Sequence, residues 1–138
     1  MKNTGLMHAE LSKIIAAIGH GQSIVIADCG LPIPKSVQLI DLALMQGIPK
    51  VTDVLRVLLD ELVVESITIA QELLEKDSDF FLKDVEQAFG NNSAFLLTQI
   101  NKVSHEEFKQ LVQQAYVVIR TGEWTPYSNL LLTAGVPF

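Results

Sequence analysis

The chain has 138 residues, of which 49% are hydrophobic and 19% are charged, and its formal net charge is −6. This length favours a single domain over residues 1–138, and an acidic chain without a basic cluster argues against a nucleic-acid-binding protein. The chain has one cysteine, no apolar run near the ~20 residues of a membrane span and no apolar signal-peptide core, so we predict a cytoplasmic protein with no membrane partner.

The first part of the chain predicts a helix followed by strands. An amphipathic helix is expected from about residue 8, with Gly19 as its left-handed terminator. Residues 23–27, SIVIA, are β-rich and nearly all apolar, which indicates a strand covered on both faces. Glycine and proline make 29–36 a loop, and alternation over 37–44 favours a second strand.

The middle of the chain continues this alternation. Thr52 is expected to cap a helix, and the β-branched run 62–70 indicates a strand that leads into a helical segment over 71–75. A further helix is predicted from Ser78 to near Gly90, and a short strand over 95–100.

The last part begins with the tetrapeptide SHEE at residues 104–107. It has the form of a capping box, with Ser104 as N-cap and Glu107 at the third helical position. Two strands are predicted over 116–120 and 130–134, separated by a turn-rich loop. Strands that alternate with helices predict an α/β domain of three layers, with a central β-sheet flanked by helices.

Several common cofactor motifs are missing from the sequence. There is no glycine-rich phosphate loop, no CxxC and no HExxH, and there is no group of metal-ligating residues at helical spacing. The sequence therefore predicts neither a nucleotide cofactor nor a metal site.

Two polar residues flank the predicted strand 23–27. Asp28 follows the strand directly, at the carboxyl end where open α/β sheets bind ligands, whereas His20 precedes it. At about 3.3 Å per residue the strand separates them by more than about 15 Å. A site that uses both must be assembled from two chains or by a loop that folds back, unless His20 is only a helix cap and Asp28 only a turn cap.

Three further polar residues lie in segments of similar character. His105 takes the first position of the capped helix, and Tyr127 and Asn129 lie in the last long loop. Together with His20 and Asp28 they suit a polyhydroxylated ligand, but none is a nucleophile with a base beside it. From spacing alone an exposed helix start and turn-shaping residues remain alternatives, and no reaction is indicated.

Several blocks of the sequence resemble the RbsD/FucU family, and more closely its ribose branch. They are GHGQSIVIADCGLPIPKS at 19–36, IDLALMQGIP at 40–49, SHEEFK at 104–109, VIRTGEWTPYSN at 118–129 and LLTAGVPF at the end of the chain. The blocks occur in the family's order along nearly the whole chain. The GLPIP stretch favours the ribose branch, because the fucose branch lacks it.

The resemblance implies an isomerase that interconverts the β-pyranose and β-furanose forms of D-ribose without a cofactor or metal. It implies that His20 is the proton donor, and that ribose is bound at the positions Asp28, His105, Tyr127, Ser128 and Asn129. It also implies a ring-shaped homo-oligomer, an octamer or decamer, with sites between neighbouring subunits. A non-catalytic sugar-binding accessory protein of ribose transport and a fucose-type mutarotase are the alternatives.

Two residues depart from the pattern of this family. Cys29 and Ser128 stand where the family usually has alanine. Cysteine is only slightly larger than alanine, so the loop at Cys29 is expected to persist. The hydroxyl of Ser128 is expected either to add a hydrogen bond or to weaken ligand binding if it stays unpaired.

Overall fold

The computed structural model describes residues 1–3, 5–76, 79–90 and 100–138. Within these ranges the strands are β1 Ser23–Ala27, β2 Gln38–Asp41, β3 Val64–Ala70, β4 Ile100–Val103, β5 Val117–Arg120 and β6 Leu130–Ala134. The helices are α1 Ala9–Ala17, α2 Val51–Leu59, α3 Glu72–Glu75, α4 Asp79–Phe89 and α5 His105–Val112. None of the helices in the described ranges is long and apolar enough to span a bilayer.

The strands form one mixed sheet with the order β2-β5-β1-β6-β3-β4. Strand β6 runs antiparallel to its neighbours β1 and β3, whereas the pairs β1–β5, β2–β5 and β3–β4 are parallel. Five strands therefore end at the same edge of the sheet, where β6 begins. Loops that follow these strands meet at that edge, the usual place for a site in an α/β sheet.

Alternate residues of the central strand β1 enter two separate hydrophobic cores. Ile24 and Ile26 pack in a core with residues of α1, α2 and α4, on one face of the sheet. Val25 and Ala27 pack on the other face, in a core that contains Phe108 of α5. Both faces of the sheet are covered, so the predicted three-layer α/β architecture is confirmed.

Several predicted elements agree closely with the structure. Strands β1 and β6 have the predicted bounds, and the α5 capping box forms, with Ser104 Oγ accepting the Glu107 N–H at 3.2 Å. The predicted strands over 37–44 and 62–70 are shorter, at β2 and β3. Of the predicted strand over 95–100 only Ile100 is described, as the first residue of β4. The predicted helix start at Ser78 also lies outside the described residues.

Two predicted helix boundaries are wrong. Helix α1 ends at Ala17, and the left-handed glycine that follows it is Gly21, with φ of 78°, rather than Gly19. The position of this turn depends on a contact with the sheet, because the Gly21 N–H donates to the carbonyl of Ala134 in β6 at 2.9 Å. Helix α2 begins at Val51, before Thr52, and its first turn is stabilised by Asp53, which accepts the Lys50 N–H at 2.9 Å.

Candidate functional site

A cavity of about 340 Å³ opens at the edge of the sheet where the five parallel strands end. This volume lies in the range of small-molecule sites. The wall combines residues from the ends of β1 and β4 with the loop before β6 and the residue after α3: Asp28, Gly30, Leu31, Lys76, His105, Pro126, Tyr127 and Asn129. Four of the six residues singled out in the sequence, Asp28, His105, Tyr127 and Asn129, thus come together.

Asp28 and Asn129 are joined by reciprocal hydrogen bonds in this wall. The Asp28 N–H donates to Asn129 Oδ1 at 2.8 Å, and Asn129 Nδ2 donates to Asp28 Oδ2 at 3.0 Å. The other carboxylate oxygen, Oδ1, accepts the Gly30 N–H at 2.9 Å. Each oxygen of the Asp28 carboxylate therefore accepts a hydrogen bond. An ionised carboxylate can accept at both oxygens, whereas an amide in its place has only one oxygen that accepts.

Burial alters the ionisation of Asp28, whose residue surface is only 8% exposed. Burial raises the pKa of its carboxyl above 3.8, and hydrogen bonds from Gly30 and Asn129 oppose that rise. The charged form is therefore less well solvated than in water. A ligand hydroxyl that donates to this carboxylate would supply part of the missing solvation, which suits a sugar.

His105 and Tyr127 form an aromatic pair on the same wall. Their ring centres are 5.0 Å apart and their planes meet at 81°, an edge-to-face geometry. Tyr127 has a left-handed backbone with φ of 62°, which is uncommon outside glycine and is often found at functional sites. His105 Nδ1 is buried without a partner among the described residues, so it has hydrogen-bonding capacity to offer a ligand.

The loop that carries Tyr127 and Asn129 is anchored to the end of β1. Thr121 donates both its N–H and its hydroxyl to the Ala27 carbonyl, at 2.9 and 2.8 Å. Further along, the Cys29 N–H donates to the Glu123 carbonyl at 3.0 Å. These contacts bring the two loops of the site together, whereas the Cys29 side chain is exposed and does not line the cavity.

Helix α3 holds the other side of the site through Glu72. Both carboxylate oxygens of Glu72 accept the His105 N–H, at 3.0 and 2.9 Å, at the start of α5. This hydrogen bond lowers the pKa of Glu72 below 4.5. The sequence offered no signal for this long-range contact.

We expect Glu72→Gln to remove a pH-dependent contribution to the stability of the parent. A carboxyl whose folded pKa is depressed contributes stability above its unfolded pKa, and loses it as the pH falls through the folded value. The parent should therefore exceed Glu72→Gln in stability at pH 7, and the difference should vanish as the pH falls below 4.5. Urea unfolding across this range measures it, with Glu75→Gln on the same helix as control; a constant difference would contradict the assignment.

Ser128, the remaining predicted binding residue, does not line the cavity. Its side chain is fully buried, its Oγ has no partner among the described residues, and it is not part of the cavity wall. A buried hydroxyl without a partner loses its hydration without compensation.

We expect Ser128→Ala to raise the free energy of unfolding by about 1 kcal/mol, because it removes an unpaired buried group. Thr121→Val is the matched control, since that hydroxyl is equally buried but donates a hydrogen bond. It should lower stability by a similar amount, about 1 kcal/mol. Urea denaturation decides the point: a loss of stability in both variants would show that Ser128 has a partner.

His20 lies away from this cavity, beyond the opposite end of β1. Its side chain is 57% exposed, and its Nε2 is 2.9 Å from Glu65 Oε2. A larger cavity, of about 630 Å³, lies near this end, with Gly21 and Gln22 in its wall. That wall contains neither a carboxylate nor an imidazole, so the chemistry favours the Asp28 cavity as the ligand site.

The part of the chain that the structure describes contains no group of three or more His, Cys, Asp or Glu side chains arranged as metal ligands. Lys76, Gly30, Leu31 and Pro126 in the cavity wall were not singled out from the sequence. For the last three the loop composition was the available signal. For Lys76 there was none, because its position depends on how α3 packs.

Comparison with known proteins supplies full-length matches. The model of the RbsD / FucU transport protein family matches residues 1–137. A D-ribose pyranase of Variovorax paradoxus is 50% identical over 138 residues, and one of Bacillus cytotoxicus is 44% identical over 138 residues; each alignment covers 100% of both chains. The structure of Bacillus subtilis RbsD complexed with D-ribose is 43% identical, with a TM-score of 0.89 and 100% of both chains covered.

Proposed function

The chain belongs to the RbsD / FucU family, and we infer that it is a D-ribose pyranase, an isomerase that interconverts the β-pyranose and β-furanose forms of D-ribose. The observation that carries this function is the 50% identity to a D-ribose pyranase along the full length of both chains. The polar cavity at the edge of the sheet agrees with it, since it offers a carboxylate, an imidazole and an amide to a polyhydroxylated ligand.

The reaction breaks one carbon–oxygen bond of the sugar and forms another. An acid gives a proton to the pyranose ring oxygen as the C1–O5 bond breaks, and a base takes the proton of the C1 hydroxyl, which leaves the aldehyde. The C4 hydroxyl then adds to C1 and gives up its proton, while the carbonyl oxygen gains one. No electrons are exchanged, so proton transfer and orientation are the whole of the catalysis.

The cavity residues take the binding role in this proposal. Asp28, His105, Tyr127 and Asn129 would hold the sugar hydroxyls, and the partly desolvated carboxylate of Asp28 would be the strongest acceptor among them. Ser128 would contribute through its main chain, because its side chain is buried and does not line the cavity. Lys76 joins the set as a donor at the rim.

His20 is the proton donor in this proposal, and it acts in the cavity of a neighbouring copy. Support comes from the position of His20 and Asp28 at opposite ends of β1, and from the exposure of the His20 imidazole. One chain alone does not join the two residues. The active form would therefore be a homo-oligomer, a ring such as an octamer or decamer, with each site shared between subunits. A cytoplasmic location stays a prediction from the sequence.

Exchange between ribose forms tests the function directly. Saturation-transfer NMR on D-ribose should show faster exchange between the pyranose and furanose signals when the protein is added. L-Fucose and D-galactose serve as comparison sugars and should show much smaller acceleration. Binding of ribose without faster exchange would instead favour a sugar-binding accessory protein, and acceleration of fucose exchange alone would favour a fucose-type mutarotase.

A further inference from the structure

We propose that Glu65 is a positioning residue for the proton donor. Its carboxylate accepts a hydrogen bond from His20 Nε2 and so leaves Nδ1 as the atom that delivers the proton to the sugar ring oxygen. This inference rests on the proposed function, in which His20 is the donor.

The first support is the contact itself, across a long stretch of chain. His20 Nε2 and Glu65 Oε2 are 2.9 Å apart, although the residues are 45 positions apart in sequence. Both side chains are partly exposed, at 57% and 44%. A pair this exposed contributes little to folding stability, so its value lies in restricting the imidazole to one orientation.

The second support is a local irregularity of β3 that places Glu65. Strand β3 pairs with β6 through Val64 opposite Ala134 and Ser66 opposite Thr133. Two steps along β3 thus match one step along β6, and Glu65 is the extra residue of a β-bulge. Bulges redirect a side chain and are found often beside active sites.

The third support is the way in which β6 joins the two partners. The Gly21 N–H, next to His20, donates to the Ala134 carbonyl at 2.9 Å, and the Gly135 N–H donates to Val63 at 2.8 Å. A Cβ on Gly135 would lie 3.2 Å from the Glu65 Cβ. The end of β6 therefore supports both residues, and the lack of a side chain at Gly135 leaves room for Glu65 to lie across it.

The chemistry follows from the two distinct nitrogens of imidazole. When Nε2–H donates to Glu65, the remaining nitrogen, Nδ1, is the one that gains and loses the catalytic proton. In the acidic form Nδ1–H faces away from Glu65 and donates to the sugar, and afterwards Nδ1 accepts a proton in return. A glutamine at position 65 still offers an oxygen to Nε2–H, whereas an alanine offers nothing.

The experiment compares Glu65→Ala and Glu65→Gln with the parent as purified oligomers, with Glu10→Ala on α1 as a control for an exposed glutamate. Ribose exchange gives kcat and KM, and ¹⁵N NMR of labelled histidine reports the tautomer of His20. The three histidines allow assignment by comparison with His20→Ala. We expect Glu65→Ala to lower kcat roughly tenfold with KM nearly unchanged, and Glu65→Gln to recover most of it.

The tautomer of His20 is a measurement that would not change if Glu65 had only a structural role. In the parent, neutral His20 should be protonated on Nε2, and in Glu65→Ala both tautomers should appear while the oligomer keeps its size. Parental kcat and tautomer in Glu65→Ala, with His20→Ala inactive, would overturn the role of Glu65 alone. Parental activity in both variants would overturn the proposed role of His20 instead.

Discussion

His20→Ala should lower the rate of ribose pyranose–furanose exchange by about 10²–10⁴-fold, the usual contribution of a general acid–base group. Affinity for ribose should change much less, because the cavity residues to which the proposal gives the binding role remain intact. Saturation-transfer NMR measures the rate, and calorimetric titration with ribose measures the affinity.

The control for this variant is another histidine. His8→Ser replaces the N-cap of α1 by a residue that is itself a good cap, so exchange should stay at the parental rate. His20→Ala with undiminished exchange would rule out His20 as the donor, whereas loss of both exchange and ribose affinity would point to a damaged fold.

A mixture of inactive variants tests whether each site draws on two chains. His20→Ala and Asp28→Ala subunits, unfolded together and reassembled, should regain about a quarter of parental activity, because a shared site then receives both intact residues by chance. Activity that stays absent in mixed oligomers, verified by light scattering, would contradict a site shared between two chains.

Gly122→Ala should destabilise the protein by about 3 kcal/mol or more, which corresponds to a fall in melting temperature of roughly 10 °C. A Cβ at this position would lie 2.3 Å from the Met45 carbonyl oxygen, and 2.5 and 2.7 Å from the oxygen and nitrogen of Ile48. All three are backbone atoms, so no side chain can rotate to relieve the clash. Thermal unfolding measures the effect.

The same glycine joins the loop after β5 to the loop after β2 by two hydrogen bonds. Its N–H donates to Pro49 at 2.9 Å and its carbonyl accepts from Gly47 at 2.6 Å. Ribose affinity should therefore fall in Gly122→Ala, because the chain beyond it carries Tyr127 and Asn129. Gly19→Ala is the control, since its nearest atom would be the Gln22 Oε1 at 3.5 Å and its stability should change by less than about 0.5 kcal/mol. Equal stability of the two variants would contradict this interpretation.

Local patterns in the sequence correctly predicted the elements whose bounds depend on interactions between residues close in sequence. The apolar runs at 23–27 and 130–134 predicted β1 and β6 correctly, and the SHEE tetrapeptide predicted the start of α5. Side-chain capping and β-propensity act over a few residues, so they can be read without the rest of the chain. Gly19 failed as a helix terminator because a hydrogen bond from the distant end of β6 decides that turn.

The candidate site was predictable in part for a similar reason. Asp28 follows an apolar strand, and this position alone indicated the carboxyl edge of a sheet. Its hydrogen bonds with Asn129 join residues 101 positions apart, and the bulge that aims Glu65 at His20 depends on pairing with β6. Neither contact has a local signal.

The sequence by itself determined the class of fold, through strands that alternate with helices, and it determined that His20 and Asp28 lie at opposite ends of one strand. Only the tertiary structure decided which residues share a cavity. The antiparallel strand β6, inserted between β1 and β3, brings the loop of Tyr127 and Asn129 to Asp28 and leaves His20 with Glu65 at the other edge. Strand order depends on long-range pairing and packing. The residue pattern of a single element predicts that element, but it does not predict which strands lie beside it.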